Sequence, residues 1–212
     1  MRISDWRVTA AIAVLTLVIS GLVIVNGLLE PAALGWGFVP ALASGVAVLP
    51  GDIAALPVWL TPLSATLVHG GWGHLALNLI MLIYCGQQAE RPLGGALIAA
   101  LYVIGAYAAA AGQWAQEPDG IAPMIGASGA ISAVLGAYAM LFGRNKVKVA
   151  NPTLALWLHA LWLLAAWVAL QSIVGVVVSS ANFRIAVAAH VGGFIPGVLL
   201  ARPLLLFRYR RA

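Results

Sequence analysis

Charged residues and cysteine are both scarce in this chain. Of its 212 residues only 8% are charged, whereas a soluble domain carries roughly 25%. The single cysteine, Cys85, has no second thiol in the chain, which excludes an internal disulfide. We interpret Cys85 as a small buried apolar residue, a common setting for an unpaired cysteine. The scarcity of charge excludes an ordinary soluble domain.

The sequence consists largely of long apolar runs. The chain is 63% hydrophobic, with a mean hydropathy of +1.01. A helix needs about 20 largely apolar residues to cross a hydrocarbon core of about 30 Å. We therefore predict an all-α polytopic membrane protein, a single six-helix bundle domain over residues 1–212. Its predicted transmembrane helices are at about 8–29, 72–89, 95–115, 124–143, 153–178 and 185–201.

Two apolar segments need separate interpretation. The first predicted span is longer than the apolar region of a signal peptide and has no clear small-residue cleavage site after it, so we expect it to be retained. The connection from Glu30 to Gly71 also contains apolar pieces. We expect these pieces to lie in the membrane interface or to dip in from it.

The positive charges lie on one predicted side of the membrane. If the amino terminus is cytoplasmic, ten of the eleven basic residues are cytoplasmic, and the opposite side holds only Arg184. Because cytoplasmic loops carry an excess of Lys and Arg, this asymmetry predicts that both termini are cytoplasmic. We interpret the net charge of +5 as a sign of orientation in the lipid bilayer, and we expect no nucleic-acid partner.

Polar side chains in the predicted spans are few, and each is costly there unless it faces protein or a water-filled cavity. Counted from the nearest cytoplasmic charge, Ser128 and His74 are each 16 residues deep, or roughly 24 Å at about 1.5 Å per residue. The same rise per residue gives a depth of roughly 18 Å for Asn78 and roughly 18 to 27 Å for His190. We predict that these four residues share one layer below the outer surface.

Serine, histidine and asparagine at one depth are the groups that nucleophilic acyl transfer requires. A serine hydroxyl is a weak nucleophile and needs a base within hydrogen-bond reach, most often histidine. Ser128 is the candidate nucleophile and His190 the candidate base. The developing oxyanion needs preorganised donors. His74 and Asn78, four apart on one helical face, and the free N–H groups at the start of the Ser128 helix are the candidates.

Glycines surround the candidate nucleophile. Gly126 and Gly129 flank Ser128 and have no side chain, which allows a tight turn and a close approach of the backbone to a substrate carbonyl. These glycines therefore fit a site at which the backbone itself contacts a substrate.

Small residues also recur at a spacing of four in the fourth and sixth spans. The pairs are Gly129 with Ala133, Ser132 with Gly136, and Gly193 with Gly197. Such pairs let two membrane helices pack backbone to backbone. Packing of the two spans through these residues would bring the nucleophile and the base together.

Other interpretations of these residues remain open. Ser128 alone would be interpreted as a packing residue, the usual role of serine in a transmembrane helix. His69, His74 and His190 could hold a metal, but helical histidine ligands usually lie three or four apart, whereas His69 and His74 are five apart. We therefore predict no metal site.

A transporter or channel would need midplane charges or paired broken helices, which the sequence does not show. His159 is interpreted as a bundle histidine with a local hydrogen bond.

Three motifs resemble those of the rhomboid intramembrane serine proteases. They are "HGGWGHLALN" at 69–78, "GASG" at 126–129 and "AHVGG" at 189–193, in this order on the second, fourth and sixth spans. The resemblance implies a dyad of Ser128 and His190 without a cofactor. It also implies an oxyanion hole formed by His74, Asn78 and the Ser128 backbone N–H, and a structural role for His69.

The resemblance implies a function as well. We expect an intramembrane serine endopeptidase that cleaves transmembrane segments of other membrane proteins, in a minimal bacterial form located in the inner (plasma) membrane. The alternative is a catalytically silent relative that binds membrane proteins. Some family members carry an aromatic residue four positions after the nucleophile, beneath the base, whereas this chain has Ser132 there. The Trp-Arg pair that some bacterial members carry in the first loop is also missing. The sequence does not define the oligomeric state or the natural substrate.

Overall fold

A computed structural model of the chain describes residues 6–49, 51, 53–142, 151–178 and 187–210. The described residues form an all-α fold. The α-helices in chain order are α1 (Arg7–Val25), α2 (Leu29–Trp36), α3 (Pro40–Ala43), α4 (Thr61–Ser64), α5 (Trp72–Leu93), α6 (Gly95–Gln116), α7 (Ser128–Phe142), α8 (Pro152–Val178) and α9 (Val187–Tyr209). Two short 3₁₀ helices, Val58–Leu60 and Ala65–Leu67, flank α4.

Several of these helices are long and apolar enough to cross a membrane. Among the described residues, four segments meet that description: α1, α6, Pro152–Leu170 of α8, and α9. Helix α5 joins them when it is taken together with Val58–Leu67, from which it is bent by 90°. The chain is therefore a multi-pass integral membrane protein, and the predicted all-α class is confirmed. The count of six spans stays a prediction, because α7 has 15 residues and a full crossing needs about 20.

Helix α7 lies at the centre of the bundle. It packs against α5, α6, α8 and α9, and every residue from Ser128 to Ala137 is buried. A helix enclosed by other helices can carry a serine without exposing the hydroxyl to lipid. The central position of α7 thus explains how a short apolar helix with polar residues is stable in this protein.

Helices α7 and α9 run parallel and touch through their backbones. A Cβ added to Gly193 would collide with the carbonyl oxygen of Gly129, and a Cβ on Gly197 would collide with that of Ala133. On the other side of the contact, a Cβ on Gly136 would lie 2.7 Å from the carbonyl oxygen of Phe194. The close packing predicted for the small residues of the fourth and sixth spans is present.

A buried carboxylate joins α1 to the end of α5. Glu90, which is 4% exposed, accepts hydrogen bonds from the backbone N–H groups of Val8 (3.0 Å) and Thr9 (2.8 Å) and from the Thr9 hydroxyl (2.7 Å). The first N–H groups of a helix have no partner within the helix and favour negative charge. Glu90 therefore caps α1 from outside that helix, a role that the sequence did not predict.

Four helices differ by four or more residues from the predicted boundaries. Helix α1 ends at Val25 rather than at 29, and α5 ends at Leu93 rather than at 89. The other two are α7 and α9. Helix α7 begins at Ser128 rather than near 124, because the preceding residues are bonded to the first loop. Met124 and Phe38 exchange two backbone hydrogen bonds of 2.8 and 3.0 Å, and the Gly126 N–H donates to the Ala65 carbonyl (2.9 Å). At the other end of the chain, α9 continues to Tyr209, beyond the predicted end at 201. The predicted limits at 143 and 185 lie outside the described residues, as does Arg184.

Gly197→Ala is expected to destabilise the folded protein. The new Cβ would lie 2.7 Å from the carbonyl carbon of Ala133, and overpacking of this kind costs about 1–3 kcal/mol. The midpoint of unfolding in detergent should fall. Gly21→Ala on α1 is the matched control, since its Cβ would meet the Trp72 ring at 3.7 Å, an ordinary contact. Equal midpoints for the two variants would contradict the close approach of α7 and α9.

Candidate active site

Ser128 is the first residue of the central helix α7. It is 9% exposed and follows a turn at Gly126, where φ is +107°. Only glycine adopts this conformation readily. A Cβ at Gly126 would also lie 2.6 Å from Cε1 of His74. The glycine two residues before Ser128 is therefore required both for the turn and for the space that the His74 ring occupies.

His190 lies on α9 at the same end of the α7–α9 contact as Ser128. It is three residues before Gly193, which packs on Gly129, the neighbour of Ser128. The carbonyl oxygen of Ala189, next to His190, lies 3.9 Å from the position of a Cβ on Gly129. Both candidate residues are buried, and His190 is 4% exposed. The parallel packing of α7 and α9 thus brings the candidate nucleophile and the candidate base to one end of the bundle.

His74 and Asn78 lie one turn apart near the start of α5. The Asn78 side-chain N–H donates to the His74 carbonyl oxygen (2.8 Å), and Asn78 is 1% exposed. The His74 Nδ1 accepts a long hydrogen bond from the Gly70 N–H (3.4 Å). A neutral ring that accepts at Nδ1 carries its proton on Nε2. That nitrogen faces the turn before Ser128, 2.8 Å from the position of a Cβ on Gly126.

His69 joins three segments of the chain around the site. The Ser20 hydroxyl donates to the Leu67 carbonyl (2.7 Å), so it accepts from the His69 Nδ1–H (2.8 Å). The other ring nitrogen, Nε2, accepts from the Ala127 N–H (3.2 Å). The rings of His69 and His74 are 5.0 Å apart. Because both nitrogens of His69 already have partners, this ring has no lone pair left for a metal ion.

Two more buried side chains lie beside the candidate dyad. The Trp167 ring contacts the His190 ring edge to face, with centroids 6.2 Å apart, and its Nε1–H donates to the Ser132 hydroxyl (3.1 Å). The sequence did not single out Trp167. It gave no signal to do so, because the few polar residues of α8 do not gather on one side, and its tryptophans recur at 157, 162 and 167 without a polar face to orient them.

His159 lies outside this cluster. It is half-buried on α8, eight residues before Trp167, or about 12 Å along the helix axis. The interpretation of His159 as a bundle histidine with a local hydrogen bond stays a prediction.

The fold and the site together define a class: a polytopic helical membrane protein with serine, histidine and asparagine buried at one end of its bundle. Comparison with known proteins identifies the family. A family model described as "Rhomboid domain" matches residues 57–207. The chain belongs to the rhomboid family, as its three motifs predicted.

Relatives at about one-third identity occur in Arabidopsis thaliana. RHOMBOID-like protein 5 is 32% identical over 144 residues, which cover 68% of this chain and 43% of the relative. RHOMBOID-like protein 4 is 31% identical over 144 residues, covering 68% of this chain and 34% of the relative. RHOMBOID-like protein 1 is 31% identical over 133 residues, covering 63% and 31%. The chain thus aligns with less than half of the length of each of these relatives.

His69→Ala is expected to loosen the backbone in front of Ser128. Loss of the ring leaves the buried Ala127 N–H without its acceptor, so hydrogen exchange in the segment 125–128 should accelerate by about tenfold. Exchange followed by mass spectrometry measures this. Ser20→Ala keeps the bond to Ala127 and removes only the second support of the ring, so its effect should be smaller. Unchanged protection in His69→Ala would show that another group holds this turn.

Proposed function

We propose that this protein is an intramembrane serine endopeptidase that cleaves transmembrane segments of other proteins. Ser128 is the proposed nucleophile and His190 the proposed base. The observation that supports this most is the backbone contact between Gly129 and Gly193, which puts both side chains at one buried end of α7 and α9. Membership of the rhomboid family supports the same reaction class.

The proposed reaction has two stages. His190 takes the proton of the Ser128 hydroxyl while the oxygen attacks the carbonyl carbon of the substrate peptide bond. The tetrahedral intermediate then expels the amine, which receives the proton from His190, and an ester on Ser128 remains. A water molecule, deprotonated by His190, attacks this ester. His190 then gives that proton to the departing Ser128 oxygen, which releases the acid and restores the free serine. No cofactor enters this scheme.

Donors for the developing oxyanion surround the proposed nucleophile. The Ser128 N–H stands at the start of α7, where helix N–H groups have no partner within the helix. The Asn78 amide has a second N–H besides the one bonded to His74, and the proton on His74 Nε2 faces the turn at Gly126. Donors held in place by protein need no reorganisation as the charge develops.

The proposed role of His69 is to hold this backbone still. It binds the N–H of Ala127, the residue before Ser128, at 3.2 Å. The Gly126 N–H is bonded to Ala65 (2.9 Å). With the amides of the two residues before Ser128 engaged, the direction of the Ser128 N–H is set by the protein. His69 is therefore a positioning residue in this scheme.

We also propose an orientation for the protein. The distribution of basic residues favours cytoplasmic termini, and the start of α7, which holds Ser128, then lies toward the opposite face of the membrane. Water for the second stage would enter from that face. In this proposal the chain is the minimal bacterial form of the family, in the inner membrane.

Ser128→Ala and His190→Ala are each expected to abolish cleavage of a model transmembrane substrate in proteoliposomes, while the proteins stay folded and inserted. A fluorophosphonate probe should label the wild-type protein and fail to label Ser128→Ala. Ser172→Ala is the matched control, because this serine lies on α8 with its hydroxyl bonded to its own helix at Val168. Full cleavage by either dyad variant would refute the dyad. A wild-type protein that neither cleaves nor reacts with the probe would be a silent relative.

Asn78→Ala is expected to retain partial activity. Loss of one oxyanion donor lowers kcat by about 10²- to 10³-fold, or about 2.7–4 kcal/mol of transition-state stabilisation. Steady-state cleavage and the rate of fluorophosphonate labelling should fall together. His159→Ala serves as a control for loss of a polar side chain elsewhere in the bundle. Wild-type kcat in a folded Asn78→Ala protein would remove Asn78 from the oxyanion hole.

A further inference from the structure

The position one turn after Ser128 holds a small residue. Ser132 is fully buried, and its hydroxyl donates to the Ser128 carbonyl oxygen (2.8 Å). A serine side chain has no ring with which to contact the imidazole of His190. The terminal torsion of histidine is broad, so a proposed base at this site needs a contact that limits rotation of the ring.

Trp167 makes such a contact from a different helix. Its ring meets the His190 ring at an interplanar angle of 83°, with centroids 6.2 Å apart, which is the edge-to-face arrangement that aromatic rings prefer. The indole Nε1–H donates to the Ser132 hydroxyl, and that hydroxyl donates to the Ser128 carbonyl. The indole is therefore held by a hydrogen bond on α7 and rests against the imidazole on α9.

The burial of Trp167 is not a general property of α8. In the apolar stretch of Pro152–Leu170 that is long enough to cross a membrane, only 17% of the residues are buried. The tryptophans at positions 157 and 162 are 43% and 65% exposed. Trp167 is 2% exposed. Helix α8 is thus mainly a peripheral helix. At Trp167, however, a large side chain with a hydrogen-bonded N–H extends from α8 into the candidate site.

We infer that Trp167 is a positioning residue for His190, supplying from α8 the aromatic contact that Ser132 cannot supply from α7. The edge-to-face contact orients the imidazole. The two hydrogen bonds from the indole through Ser132 fix the indole relative to the backbone of the nucleophile. This inference rests on the proposed function, because it assigns a role to a neighbour of the proposed base.

The first test replaces the indole. Trp167→Leu removes the ring, and we expect kcat for a transmembrane substrate to fall about 3- to 10-fold, the scale of an aromatic pair contact. KM should stay unchanged, because the indole contacts the proposed base rather than the substrate. Trp167→Phe keeps a ring but loses the bond to Ser132, and its kcat should lie between those of the wild type and Trp167→Leu. Trp162→Leu, on the exposed side of α8, is the matched control and should keep wild-type kcat.

The second test moves the ring to α7. Trp167→Ala empties the space beside Ser132, and Ser132→Tyr can then place a ring there. Each single variant should lose kcat, the second because the new ring collides with the indole. The double variant should recover kcat at least about threefold over Trp167→Ala, a coupling expected only of residues in contact. A residue that merely anchors α8 would show no such rescue.

The outcomes separate this inference from the proposed function. If Ser128→Ala cleaves as well as the wild type, the proposed function fails, and this inference fails with it. If cleavage depends on Ser128 but Trp167→Leu keeps wild-type kcat, only the role of Trp167 is overturned. The same holds if Trp167→Leu loses kcat only in proportion to its folded fraction, or if the double variant recovers nothing. An unchanged KM together with rescue by Ser132→Tyr supports the inference.

Discussion

The backbone contact between α7 and α9 is the constraint on which the site depends. Gly193 and Gly197 present no side chain, so α9 approaches until it touches the carbonyls of Gly129 and Ala133. In a bilayer no hydrophobic force draws helices together, and association relies on close packing and interhelical hydrogen bonds. A larger residue at either glycine would move His190 away from Ser128. One packing geometry therefore decides whether the proposed base and nucleophile meet.

Hydrogen bonds between distant segments hold the surroundings of that contact. His69 bonds to Ser20 on α1 and to Ala127 before α7, and Glu90 caps α1 from α5. Unpaired polar groups cost more inside a membrane protein than at a wetted surface, because no solvent replaces a lost partner. Each of these polar residues therefore rigidifies the bundle, and a rigid backbone suits a site in which amides stabilise charge.

Sequence reasoning predicted the helical class, the family and the residues of the candidate site from hydropathy and three motifs. It also predicted that the small residues of α7 and α9 would pack together. It placed the start of α7 near 124, because Met124 and Ile125 are apolar and nothing in the local pattern shows that Met124 pairs with Phe38. It did not predict that Glu90 caps α1, and it did not identify Trp167. In each case the missing information is a contact between residues far apart in the chain.

What the sequence by itself determined is that this protein lies in a membrane and which residues are the candidates for its reactive groups. The length of the apolar runs shows that the chain forms helices in lipid. Polar groups are costly at that depth, which is why the sequence draws attention to Ser128, His190, His74 and Asn78. What only the tertiary structure decided is how these groups are held: which face of α8 turns Trp167 inward, and which partners His69 binds. The few polar residues of α8 do not gather on one side of the helix, so its sequence carries no preferred face. In the structure its orientation is the one that brings Trp167 into contact with Ser132 on α7 and His190 on α9.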